Sequence, residues 1–118
     1  MTTSLSKDWH EEVAEGCRYL DEKLTNIDWR AVIDLRVLDA ASPTFCVLAQ
    51  IGRKLFELSW HGIRAEWDLH RFARLQELGF YVIDATAGPI GSAGWEAEMF
   101  VQYALLTEAW KEALNGPI

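Results

Sequence analysis

The chain is 118 residues long, the size of one domain, and with half of its residues hydrophobic and a quarter charged it can bury a core of its own and is not intrinsically disordered. Eighteen acidic residues against eleven basic ones leave a formal charge of −7, spread along the chain, which disfavours a protein that tracks nucleic-acid phosphates directly. Two cysteines allow one disulfide at most, residues 1–7 lack the pattern of a signal peptide, and no apolar run approaches the roughly 20 residues that span a bilayer, so a reduced, cytoplasmic setting without a membrane partner is expected.

Leu5, Trp9, Val13, Cys17, Leu20 and Leu24 recur every three or four residues and predict a first helix, capped by Ser4 or Ser6 and ending near Thr25 or Asn26. Asp28 heads a short turn or helix carrying Trp29, Val32 and Ile33, after which Ile33, Leu35 and Val37 alternate with Asp34 and Arg36 as a short strand does. Ser42-Pro43 is a helix start, and the nearly continuous apolar run from Phe45 to Phe56 predicts a buried central helix. Gly62 marks a break after Trp60 and His61, and Ala65 to Leu78 reads as a third long helix closed by Gly79 in the left-handed conformation. Phe80 to Ile83 is a second strand candidate, and Ala85 to Gly94 is loop chemistry. Trp95, Met99, Tyr103, Leu106, Trp110 and Leu114 predict the last and clearest helix. The fold class expected is mainly α: one compact domain over residues 1–118 with about four helices, the two strand candidates pairing as a short ribbon.

The residues that could carry chemistry are few. His10, Cys17, Cys46, His61 and His70 are the metal-ligating types, but neither Cys-x-x-Cys nor His-x-x-x-His occurs, so no metal site and no cofactor is expected. Cys46 lies among Phe45, Val47 and Leu48, where burial raises a thiol pKa and makes it inert. Asp21 with Glu22, and Glu96 with Glu98, read as solvated helix faces, not as paired acid and base. The glycine-rich loop over 86–94 lacks the lysine of a phosphate loop, and Glu96 and Glu98 behind it repel anions, so a connector is expected. No catalytic residue emerges, and the chain is read as a non-enzyme. Of the six tryptophans, Trp9, Trp95 and Trp110 sit on helical stripes, whereas Trp60 and Trp67 flank a weakly periodic segment. Trp60, Arg64 and Trp67 therefore form the candidate interface, against a competing reading as a buried corner.

One ordered set of local signatures remains: Gly16 with Leu20-Asp21-Glu22-Lys23, Trp29, Ile33-Asp34-Leu35, Leu38-Asp39, Ser42-Pro43, Cys46-Val47-Leu48-Ala49-Gln50, Gly79-Phe80 and Leu106-Thr107-Glu108-Ala109-Trp110. In that order it resembles a family of short proteins encoded by actinobacteriophages and some of their actinobacterial hosts, with Ala49, Phe45 and Leu78 departing from the family's glycine, cysteine and histidine. That family carries no assigned activity, cofactor or catalytic residue. The resemblance implies a phage accessory protein that acts in the host cytoplasm by binding a host or phage protein. A small-molecule binder that sequesters a host metabolite or signal is the alternative, followed by an acidic mimic of DNA; self-association is left open.

Overall fold

The computed structural model describes residues 8–83 and 88–115, and the fold is mainly α. Among the described residues five α-helices follow one another: α1 (His10–Lys23), α2 (Val47–Ile51), α3 (Trp60–Glu66), α4 (Phe72–Glu77) and α5 (Ala93–Asn115). A 3-10 turn (Trp29–Val32) precedes α2, and a single π turn (Gly52–Phe56) continues it. α1 packs on α5 and α4, while α2 packs on α3 and the 3-10 turn. One apolar core joins them, with Trp9, Leu20, Trp29, Leu48, Leu75 and Trp110 among its buried members.

α1 buries Val13 and Leu20, and Trp9 and Leu24 at its two flanks are buried on the same face, the one that the spacing predicts, with Cys17 partly covered. Leu5, Ser4 and Ser6 lie outside the described residues; the free N–H of His10 donates to the Asp8 carboxylate at 2.9 Å. The helix ends at Lys23, short of Thr25, where the Leu24 N–H closes on the Leu20 carbonyl.

Among the described residues there is no strand, so the expected ribbon does not form. A side chain has taken its hydrogen bonds. Gln50, fully buried in α2, accepts from the Asp34 N–H at 2.7 Å and donates to the Asp34 carbonyl at 3.3 Å and the Phe45 carbonyl at 2.9 Å. Both backbone groups that Asp34 would offer to a neighbouring strand are thereby used, and residues 35–37 turn instead. The run 80–83 is likewise satisfied by scattered partners: the Val82 N–H donates to the Tyr103 hydroxyl at 3.2 Å and the Ile83 N–H to Gln76 Oε1 at 2.6 Å.

Ser42 starts only one turn, its Oγ accepting from the N–H groups of Thr44 and Phe45 at 3.0 Å each. Cys46 is then extended (φ −71°, ψ 169°), so the helix proper begins at Val47, and Phe45 and Phe56 at the ends of the predicted central helix are exposed. Nor is Gly62 a break. Ser59 Oγ accepts the Gly62 N–H at 3.1 Å and caps α3, which runs through that glycine. The break falls inside the predicted Ala65–Leu78 helix, at Asp68, whose φ is +58°. There the N–H of Asp68 bonds the Ala65 carbonyl and that of Leu69 the Arg64 carbonyl, a Schellman ending. Gly79 (φ +75°) ends α4 in the same way, as its residue type predicts, with Gly79 N–H on Gln76 and Phe80 N–H on Leu75.

Ser92 caps α5 by accepting the Trp95 N–H at 3.2 Å. The buried face of this helix is Glu98, Gln102, Leu106, Ala109 and Trp110, rolled away from the predicted stripe: Trp95, Met99 and Tyr103 are only partly covered. Glu98, expected in solvent, is 1% exposed. The roll is tied to a buried hydrogen bond from the Trp9 indole N–H to Gln102 Oε1 at 2.9 Å, which turns α5's polar residues toward α1. At the far end the Trp110 indole donates to the Gly79 carbonyl at 2.7 Å and its ring stacks on Phe80, 5.7 Å away at 8°.

Candidate functional site

Because α5 turns a partly polar face inward, part of its apolar surface is left outside. Trp95, Met99, Phe100 and Tyr103 form one wall and floor of an open groove of about 610 Å³, and Leu38 with Ala41 forms the other wall. Phe100, one of its lining residues, is 77% exposed. The charged side chains that line the groove are Asp39, Glu96 and Glu108; no described lysine, arginine or histidine does.

The two walls are pinned together. Thr107 Oγ1 accepts from the Ala40 N–H at 2.9 Å and donates to the Tyr103 carbonyl at 2.8 Å, tying the 38–41 segment to α5. Burial pushes the Tyr103 hydroxyl up to about 12, so it stays a neutral phenol that holds the Val82 N–H. Tyr103 and Ala41 also line an adjoining, smaller cleft of about 220 Å³ bordered by Pro43, Trp60 and Tyr81.

Of the three residues expected to form an interface, two come together and one stands apart. The Arg64 guanidinium lies 4.4 Å from the Trp60 ring centre and 4.8 Å from that of Phe72, and Trp60 stacks on Tyr81 at 6.0 Å. Arg64 is 9% exposed and directs its donors into the fold, Nε to the Leu69 carbonyl at 3.0 Å and Nη2 to that of His70 at 3.4 Å. It holds the turn between α3 and α4 and braces Trp60. Trp67 instead packs edge-on to Tyr19 and Phe56, each 6.0 Å away, with the Lys23 ammonium over its ring. Trp60 thus borders the cleft, and Arg64 supports it from behind.

Sequence reasoning missed Phe100, Met99 and Asp39 as surface features. A signal was present: Phe100 stands beside Met99 on the helix, about 100° round, and widens the apolar arc of α5 beyond one core-facing stripe.

Elsewhere the reactive types are occupied structurally. Cys46 sits at the start of α2 beside the N–H groups of Leu48 and Ala49, which favour a thiolate, but burial outweighs them and pushes it up to about 11. Burial also raises the Cys17 thiol, against the pull of Arg30, and both cysteines are free. His10 bridges Asp8 and Glu112, and His70 lies 3.5 Å from Asp68. Among the described residues, no group of three or more His, Cys, Asp or Glu side chains is placed to hold a metal ion. Residues 84–87 of the glycine-rich loop lie outside the described residues, and at its described end Ser92 accepts the N–H groups of Trp95, on its Oγ, and of Glu96, on its carbonyl. No protein family, curated protein or solved structure matches the chain.

Proposed function

We propose that this chain is a non-enzymatic accessory protein that works by binding another protein through the α5 groove, in the phage and actinobacterial-host cytoplasm that the sequence resemblance implies. The observation that carries the reading is Phe100, a large aromatic ring left 77% exposed while lining an apolar groove, on a helix that already buries Trp110 and Leu106. Aromatic anchors of this kind, set in a shaped apolar patch, dominate the energy of protein interfaces. Trp60 extends the same surface through the adjoining cleft. The test is to immobilise the parent and Phe100→Ser side by side and expose both to an actinobacterial lysate. At an unchanged melting temperature, at least one protein retained by the parent should be lost from the variant; identical retained sets would remove the groove from binding.

The groove volume also lies within the range of small-molecule clefts, which supports the second reading, a protein that sequesters a small ligand. Mass spectrometry of compounds extracted from the purified protein, with a thermal-shift screen, tests it; absence of any bound compound and of any shift would refute it.

A further inference from the structure

We infer that the occupant of the α5 groove is an amphipathic helix of a partner protein with lysine or arginine flanking its apolar stripe, an inference that rests on the protein-binding reading above. The groove runs along α5 from Trp95 to Glu108, about 20 Å at 1.5 Å per residue, which matches three to four turns of a partner helix. Its floor is apolar, as a helix docked by residues at i, i+3, i+4 and i+7 requires.

The charges choose the partner. Asp39, Glu96 and Glu108 line the groove without a described base among them, and the chain as a whole carries −7. The Lys111 ammonium lies 3.9 Å from Glu108, and the Asp39 carboxylate accepts the Ala41 N–H at 3.0 Å. A second copy of this chain would set the same three carboxylates of each molecule close to those of the other, between bodies that each carry −7, and like charges so placed oppose association. A basic helix meets the acids from both sides of its stripe while its leucines or phenylalanines cover Phe100. An extended peptide is the weaker match, because no described strand offers an edge for it to extend.

The probe is a labelled synthetic helix of about 16 residues with leucine at the four anchor positions and lysine on both flanks, compared with the same peptide carrying glutamate for lysine. Anisotropy titrations use the full chain, Phe100→Ser, and a double variant with Asp39→Asn and Glu96→Gln; sedimentation of the full chain alone reports self-association. The lysine peptide should bind at least about tenfold more tightly than the glutamate peptide and lose about tenfold with Phe100→Ser. Neutralising Asp39 and Glu96 should weaken it severalfold and flatten its salt dependence. Equal binding of the two peptides, no binding of either, or no effect of Phe100→Ser on the lysine peptide overturns the inference. So does a dimer that Phe100→Ser dissolves, which would make the occupant a second copy. If the lysine peptide fails while Phe100→Ser still loses a captured lysate protein, the helix assignment falls and the protein-binding reading survives. If the captured set is also unchanged, both fall.

Discussion

Gly16 stands where α1 meets the end of α4 and the closing tryptophan, and a β-carbon there would press on the Leu78 carbonyl oxygen and come within 3.0 Å of the Trp110 ring. Alanine is otherwise the better helix residue by about 1 kcal/mol, so the sign of Gly16→Ala is a contest between propensity and packing. Packing wins, because one of the two neighbours is backbone and the other a buried ring fixed by its own hydrogen bond. Gly16→Ala should cost about 1–3 kcal/mol, read as a lower denaturant midpoint; a stabilised variant would show that the close approach is absent. Asp68 has the opposite sign. It holds φ +58° at the end of α3 with an exposed side chain whose only described ionic neighbour is His70. Relief of left-handed strain exceeds the added freedom of the unfolded chain, so Asp68→Gly should raise stability by about 0.5 kcal/mol, measurable as a higher midpoint with an unchanged slope.

A five-residue helix such as α2 cannot persist on propensity, since nucleation alone outweighs so few hydrogen bonds. Burial of all five of its side chains holds it in place, and Gln50 in turn uses it as a post from which to bind the 34–45 segment. Gln50→Ala would leave the Asp34 N–H and the Phe45 carbonyl without this partner and release Lys54 from one of its two acceptors. The expected cost is about 1–3 kcal/mol, with faster amide exchange at Asp34 than in the parent; unchanged exchange there would contradict the role assigned to Gln50. This element also explains why the alternating residues 33–37 do not make a strand. Alternation records which side chains are buried, and Ile33 is buried as a strand residue would be, but the backbone pairing is decided by an amide sixteen positions away.

Across the whole molecule, His10 fastens the start of α1 to Glu112 near the end of α5. Its hydrogen bond to Glu112 first, and then that to Asp8, raises its pKa above the usual 6.5. A proton held more tightly in the folded chain stabilises that chain fully below the unfolded value and ceases to do so as pH rises through the folded value. The parent should therefore melt above His10→Gln at a pH below the usual 6.5, with the difference shrinking as pH rises through the raised folded value; a difference that grows with pH would refute the link. It should be small, because these partners are exposed to solvent. Asp21 works at the other end of the scale, since its hydrogen bond from Arg30 holds its carboxyl below the ordinary range. Its contribution is present above the unfolded value and disappears as acid protonates it through the folded one.

Spacing is a local property, so whatever depends on near neighbours could be read from the chain: that α1 and α5 are helices, that Trp9 and Trp110 enter the core, and that Gly79 turns left-handed at a helix end. The mainly helical class follows from those elements. The rotation of α5 about its axis does not, because it is tied to a hydrogen bond between Trp9 and Gln102, 93 residues apart. That rotation leaves Phe100, Met99 and Trp95 facing a groove and places Glu98 inside, although the spacing around all four is ordinary for a helix. Arg64 carries the same lesson: its residue type fits an interface anchor, and its donors instead hold carbonyls of the turn that follows α3. Periodicity registers how many faces of a helix are apolar, while partners distant in sequence decide which of those faces the core covers and which is left to line the α5 groove.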